Sequence, residues 1–221
     1  MRLLTMKIRT LSAILGLSAF LGALPASAEE RPMGFFITST GMGKGADLGG
    51  LDGADAHCTK LAGAAGAGGR QWRAYLSTQD GDKRGVFARA RIGQGPWYNA
   101  KGDLIATNLT DLHLYNKTVT LETALDENGN RIKGRGAKPN EHDILTGTQE
   151  DGTPYFPRDK LDHTCSNWTS SAEDGSAQVG HHDRHGGGNT SWNSAHASRG
   201  CSQAALVKTG GAGKFYCFAA D

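Results

Sequence analysis

The sequence predicts an α+β domain, and three observations predict it. One stretch with helical periodicity lies early, over residues 54–65. Short runs rich in aromatic and β-branched residues recur along the chain and at its end. The second half is poor in aliphatics and carries many of the 32 glycines, which reads as long loops between short strands.

Residues 34–40, with Phe35, Phe36 and Ile37, read as the first strand. After a glycine-rich loop, Asp52 offers an N-cap to a helix over 54–65, and Gly66 can close it. Cys58, Leu61, Ala62 and Ala65 fall at helical spacing, so Cys58 should face the core. Residues 72–77 alternate as a strand does. Residues 86–92 suit a second, short helix, and 96–99 a short extended piece before a turn at Lys101, Gly102 and Asp103. Residues 108–112 suit a helical turn. Asp126, Asn128, Gly129 and Asn130 carry a hairpin-turn signal between β-prone flanks. Strands are expected over 143–148, over 163–169 around Cys165, and over 214–219 at the end. Residues 170–200 show little regular pattern; a stretch of that length inside a compact domain is usually functional or poorly ordered.

Residues 1–28 read as a signal peptide. Arg2, Lys7 and Arg9 form a basic start, residues 11–24 an apolar run, and Ala26-Ser27-Ala28 a small-residue cleavage site. Residues 29–221 are then one exported domain, periplasmic or secreted, with no membrane insertion after cleavage. Three of the 24 basic residues leave with the signal and none of the 22 acidic ones, so the net charge falls to about −1. With no basic tail and no nucleic-acid motif, a nucleic-acid partner is excluded. Cys58, Cys165, Cys201 and Cys217 form an even set in an exported chain, which reads as two disulfides with three possible pairings.

A family resemblance attaches to particular residues. Gly53-Ala54-Asp55-Ala56-His57-Cys58 followed by Trp72-Arg73-Ala74-Tyr75-Leu76-Ser77 resembles the opening of endostatin, the C-terminal domain of certain collagens. Residues 96–112 resemble its strand-turn-helix segment, and Cys165-Ser166-Asn167-Trp168 its Cys-x-x-Trp strand. Ser194-Ala195 before Cys201, and Tyr216-Cys217, resemble its closing cysteines. The resemblance covers most of residues 35–218 and extends to bacterial secreted lectin-like proteins. It implies a C-type-lectin-like, endostatin-like fold with long loops and two nested disulfides, Cys58 to Cys217 and Cys165 to Cys201. It also implies a non-enzymatic binding module for a glycan or an extracellular or envelope protein.

Several residue groups are candidates for that binding. His181, His182, Asp183 and His185 offer imidazole and carboxylate donors, with His196 as a more distant ligand; such donors suit a divalent metal. No cofactor is fixed by the sequence, and zinc, copper or calcium is the metal to consider. Neighbouring residues converge on one ion only where the backbone bends, and a solvated polar loop is the competing reading. Endostatin's own zinc site uses N-terminal histidines that Glu29-Glu30-Arg31-Pro32 lacks. Trp192 and Asn193 lie in Trp192-Asn193-Ser194, which resembles a lectin calcium-and-sugar motif without its acid; Lys138-Pro139-Asn140 resembles the other such motif, also without its acid. Trp192 is equally a core anchor. Arg70, Arg73, Arg84, Arg89 and Arg91 form a basic stretch suited to sulfated ligands, or else a mixed solvated surface. No catalytic motif is present, so an enzyme is not expected. The alternatives to a glycan-binding module are a periplasmic metal-binding protein centred on the histidine cluster and a structural envelope component.

Overall fold

The computed structural model describes residues 31–221; the predicted signal peptide lies outside them, apart from which these residues form one compact unit. The organising element is the last strand, β8 (Gly211–Ala219), buried along nearly its whole length. Its alternation feeds two cores. Phe215 and Cys217 face one side, with Phe36, Trp72, Trp168 and helix α1 (Gly50–Ala64); Tyr216 and Phe218 face the other, with Phe35, Tyr75, Trp97 and Trp192. A strand covered on both faces reads as a continuous apolar run, which is why residues 214–219 are legible in sequence.

Strands β1 (Phe35–Ile37) and β2 (Trp72–Ala74) both pair antiparallel with the C-terminal half of β8. Its N-terminal half pairs in parallel with β5 (Asp143–Leu145). The sheet continues through β6 (Gln178–His181) to the edge strand β7 (His196–Ala197). A separate ribbon joins β3 (Trp97–Tyr98) and β4 (Leu104–Ala106). Short helices α2 (Ala88–Arg91), α3 (Cys165–Trp168) and α4 (Gln203–Thr209) and one π-helical turn (Asp111–Tyr115) complete the described elements.

Most expected elements are present with shorter bounds. Helix α1 starts earlier than expected: Gly49, left-handed at φ 69°, is its N-cap, and Asp52 lies in the first turn, where its charge suits the helix dipole. The turn at Asp126 holds, because its Oδ1 accepts from the N–H groups of Asn128 and Asn130.

Two expectations fail. Residues 163–169 are not a strand. Cys165, Ser166, Asn167 and Trp168 all have positive φ, 48° to 66°, and form a left-handed turn. Side chains impose it: Asp162 accepts from the N–H of Thr164 and Ser166, Thr164 Oγ1 caps the N–H of Asn167, and Trp168 Nε1 donates to the buried carbonyl of Ser77. Nor is the 170–200 stretch irregular throughout, because it supplies β6 and β7. Helix α4, capped by Ser202 Oγ on the N–H of Ala205, has no counterpart among the sequence expectations.

The disulfides are Cys58–Cys217 and Cys165–Cys201, the nested pairing that the resemblance implies. The first ties α1 to β8 across 159 positions and the second closes 36. Chain entropy puts them at about 5 and about 4 kcal/mol. Such bonds persist in oxidising compartments. Among the described residues no helix is long and apolar enough to cross a membrane.

Candidate metal centre

The sheet order brings together side chains far apart in sequence. Asp143 opens β5, and its register partner on β6 is His181. His196 on β7 pairs with Val179, two residues before His181, so Asp143, His181 and His196 share one face. Gly211 is the β8 partner of Asp143, and a β-carbon there would stand 3.1 Å from Asp143 Cβ. The missing side chain leaves room for the carboxylate. His142, just before the strand, folds onto the same point.

Three buried donor atoms converge, from His142, Asp143 and His181, and His196 Nε2 stands beside them. Asp143 Oδ1 lies 3.1 Å from His142 Nε2, 3.3 Å from His181 Nε2 and 3.6 Å from His196 Nε2. His181 and His196 approach to 2.9 Å between their Nε2 atoms. Yet Asp143 is only 3% exposed, and neither carboxylate oxygen has a partner in hydrogen-bond geometry among the described residues. A buried, unpartnered carboxylate is costly.

The outer contacts explain the mismatch. His142 Nδ1 lies 3.3 Å from Asp183 Oδ1, and His196 Nδ1 lies 3.1 Å from the Ala197 carbonyl. Both partners only accept, so each ring donates through Nδ1 and turns its Nε2 toward Asp143. A metal cation set among these Nε2 atoms and the carboxylate would satisfy all of them at once. Imidazole that donates outward to a carboxylate or carbonyl and points Nε2 inward is the usual outer arrangement of a metal-bound histidine.

Asp183 is built for that outer role. Arg184, left-handed at φ 57°, turns the chain after β6, and its guanidinium is anchored by the carbonyls of Val119 and Asn116. Asp183 Oδ1 accepts from the His185 N–H and Oδ2 from the Arg135 N–H. Burial pushes its pKa up, but the hydrogen bonds from His142, Arg135 and His185 outweigh that and hold it below the usual carboxylate range.

The expected metal set is therefore revised. His181 is at the point of convergence, and His196 joins it. Asp183 orients His142 rather than facing the centre. His185 is exposed and contributes only its backbone N–H. His182 is buried, its ring nitrogens are not among the converging donors, and burial holds its pKa at about 4. Adjacent strand residues alternate between faces, so His181 and His182 cannot share an ion without a bend. Sequence reasoning missed His142 and Asp143. The only signal was a His-Asp pair at the start of a predicted strand.

The other expected ligand residues are placed differently from a free surface. Trp192 is core, packed on Tyr75 and Tyr216, and Asn193 Nδ2 donates to Tyr75 Oη and to the Glu150 carbonyl. Arg73 and Arg91 both pair at 2.7 Å with the buried Asp55. Arg70 pairs with Asp221, Arg89 donates to the Asp151 carbonyl, and Arg84 lies over Phe87 and Phe156. These guanidinium groups thus each have a partner within the fold, while Arg84 and part of Arg73 stay open to solvent. A polar cavity of about 460 Å³ lies nearby, lined by His113, Asn116, Glu150, Arg184, Asn189 and Trp192 among others.

No family model matches this chain, and no curated protein matches it.

Proposed function

We propose that this chain is an exported, disulfide-stapled domain that binds one divalent transition-metal ion through His142, Asp143 and His181, with His196 as a fourth donor. The observation that carries the reading is the Asp143 carboxylate, buried and unpartnered among three imidazole nitrogens. Zinc or copper fits nitrogen-rich donors; calcium, which wants six to eight oxygens, does not. A tetrahedral ion with 2.0–2.1 Å bonds sets its donors about 3.3–3.4 Å apart. Asp143 Oδ1 lies 3.1 and 3.3 Å from the Nε2 atoms of His142 and His181, close to that value, and His196 closes the set by turning toward the ion. The His142 and His181 rings are nearly parallel, with centroids 4.3 Å apart, so loading turns one of them about χ2, a soft torsion. The endostatin-like fold and a periplasmic or secreted location belong to the same reading; the nested disulfides support both.

The test is direct. Untagged protein, stripped with chelator, should take up one equivalent of zinc by elemental analysis and give the visible absorption of tetrahedral cobalt(II). Asp143→Asn and His181→Ala should lose that uptake with near-ultraviolet circular dichroism unchanged. Less than a tenth of an equivalent in the parent protein sinks the reading.

A second reading is a glycan-binding module with no catalytic activity. It is favoured by the polar cavity and by Leu114 and Tyr115 beside it, 65% and 69% exposed. Exposed apolar and aromatic surface beside polar groups suits a sugar ring. A glycan array repeated with Tyr115→Ala tests it; no glycan bound by the parent removes it.

A further inference from the structure

The charge around the centre does not close. A divalent ion carries two positive charges, and the donor set supplies one negative charge, from Asp143. Asp183 neutralises the second from outside. Two further cations then remain at the site, Arg184, whose guanidinium is held by neutral oxygens of Val119 and Asn116, and Arg135. Arg135 is exposed, its guanidinium makes no hydrogen bond or ion pair among the described residues, and its backbone N–H is fixed to Asp183. Gly186, with φ +113°, lies between this guanidinium and the His142 and His181 rings. A β-carbon on Gly186 would stand 3.1 Å from Arg135 Nη1, 3.3 Å from His181 Cε1 and 3.4 Å from His142 Cε1. One glycine thus separates a free guanidinium from the edges of two candidate ligand rings. Lys214, a third cation nearby, is taken by Glu141 at 2.7 Å.

The donors differ in exposure. His142, Asp143 and His181 are buried, whereas the His196 side chain is 41% exposed. It stands on a two-residue edge strand paired only with β6. The solvent side of the centre is therefore held by its least constrained donor. Three fixed donors and one open or exchangeable position is the arrangement of zinc sites that take an external ligand.

Resting on the metal reading above, we propose that the loaded centre binds an external oxyanion, a carboxylate or phosphate group, at the position left open by its three buried donors, with Arg135 as counter-ion. A planar guanidinium matches either group through paired N–H donors, and a bound metal supplies the second point of attachment. The ligand becomes a small molecule or a chain end bearing such a group.

Cobalt(II) serves as ion and reporter. The cobalt-loaded protein is titrated separately with sodium acetate and with inorganic phosphate, and the visible spectrum is followed. The expected result is a saturable spectral change with at least one of the two; which one responds names the class. Arg135→Gln should weaken that binding at least tenfold while cobalt affinity stays within twofold, because Arg135 is not a metal donor. A spectrum indifferent to both anions, or an Arg135→Gln protein that titrates like the parent, overturns the oxyanion proposal and leaves the metal reading standing. Failure to take up cobalt at all overturns both.

Discussion

At the scale of single residues, burial and partners decide what each titratable group does. Asp183 orients His142 and does not reach the ion, so Asp183→Asn should keep the fold while weakening metal binding. Loss of an outer carboxylate typically lowers affinity about 10- to 100-fold. Competition against a chromophoric chelator measures it, and unchanged affinity would remove Asp183 from the site. His113 illustrates a second rule. Burial lowers its pKa; Nδ1 donates to the Leu109 carbonyl, which opposes that shift, and Nε2 accepts from Tyr75 Oη. Below about pH 6.5 the unfolded chain takes up a proton that the folded form refuses. This contribution to stability is therefore complete above pH 6.5 and is lost as pH falls toward the depressed folded pKa. Replacing His113 by Gln should flatten the dependence of urea stability on pH between about 7 and 5. An unchanged slope would contradict the assignment.

At the scale of elements, the left-handed turn α3 matters most for the site's frame. It carries Cys165, whose disulfide closes the segment that supplies His181 and His196. Four consecutive non-glycine residues at positive φ are strained, at about 1 kcal/mol or more each. Ser166 is exposed, and its side chain makes no hydrogen bond among the described residues, unlike Asn167, which bonds to both backbone groups of Gln79. Ser166→Gly should therefore relieve strain and raise Tm by about 2–4 °C, the shift that roughly 1 kcal/mol produces in a domain of this size. Ser166→Val should lower it. Thermal melts of both decide, and a lower Tm for the glycine variant would refute the strain argument. The same turn shows where local reading ends. Thr164 to Thr169 is a β-prone string, and only the contacts of Asp162, Thr164 and Trp168 with Ser77 and with the turn's own backbone override it.

At the scale of the whole molecule, β8 and the Cys58–Cys217 bond hold the two ends of the described chain together. The loop it closes spans 159 positions, so removing it with Cys58→Ser and Cys217→Ser should cost about 5 kcal/mol. That is comparable with the total stability of many domains. Chemical denaturation of the double variant should show a largely unfolded protein or a greatly lowered midpoint. Removing Cys165 and Cys201 should cost less globally, yet loosen metal retention, because the shorter loop carries two of the four donors. Comparing the two pairs separates global stability from support of the site.

The periodicity of α1, the doubly buried run of β8, the turn at Asp126 and the presence of two disulfides were all legible in the sequence. Each rests on interactions between residues close in the chain, or on composition and compartment. The site was half legible. The histidines near residue 181 drew attention to the right segment, but only His181 of that cluster reaches the converging donors, because alternate strand residues face opposite ways. His142 and Asp143 come from another strand 38 or more residues earlier, and β5 meets β6 only because both are arranged against β8. Register in a sheet with non-local pairing depends on every strand that packs into it. Which histidines converge, and that Asp143 has no partner but them, was therefore decided by the tertiary structure alone.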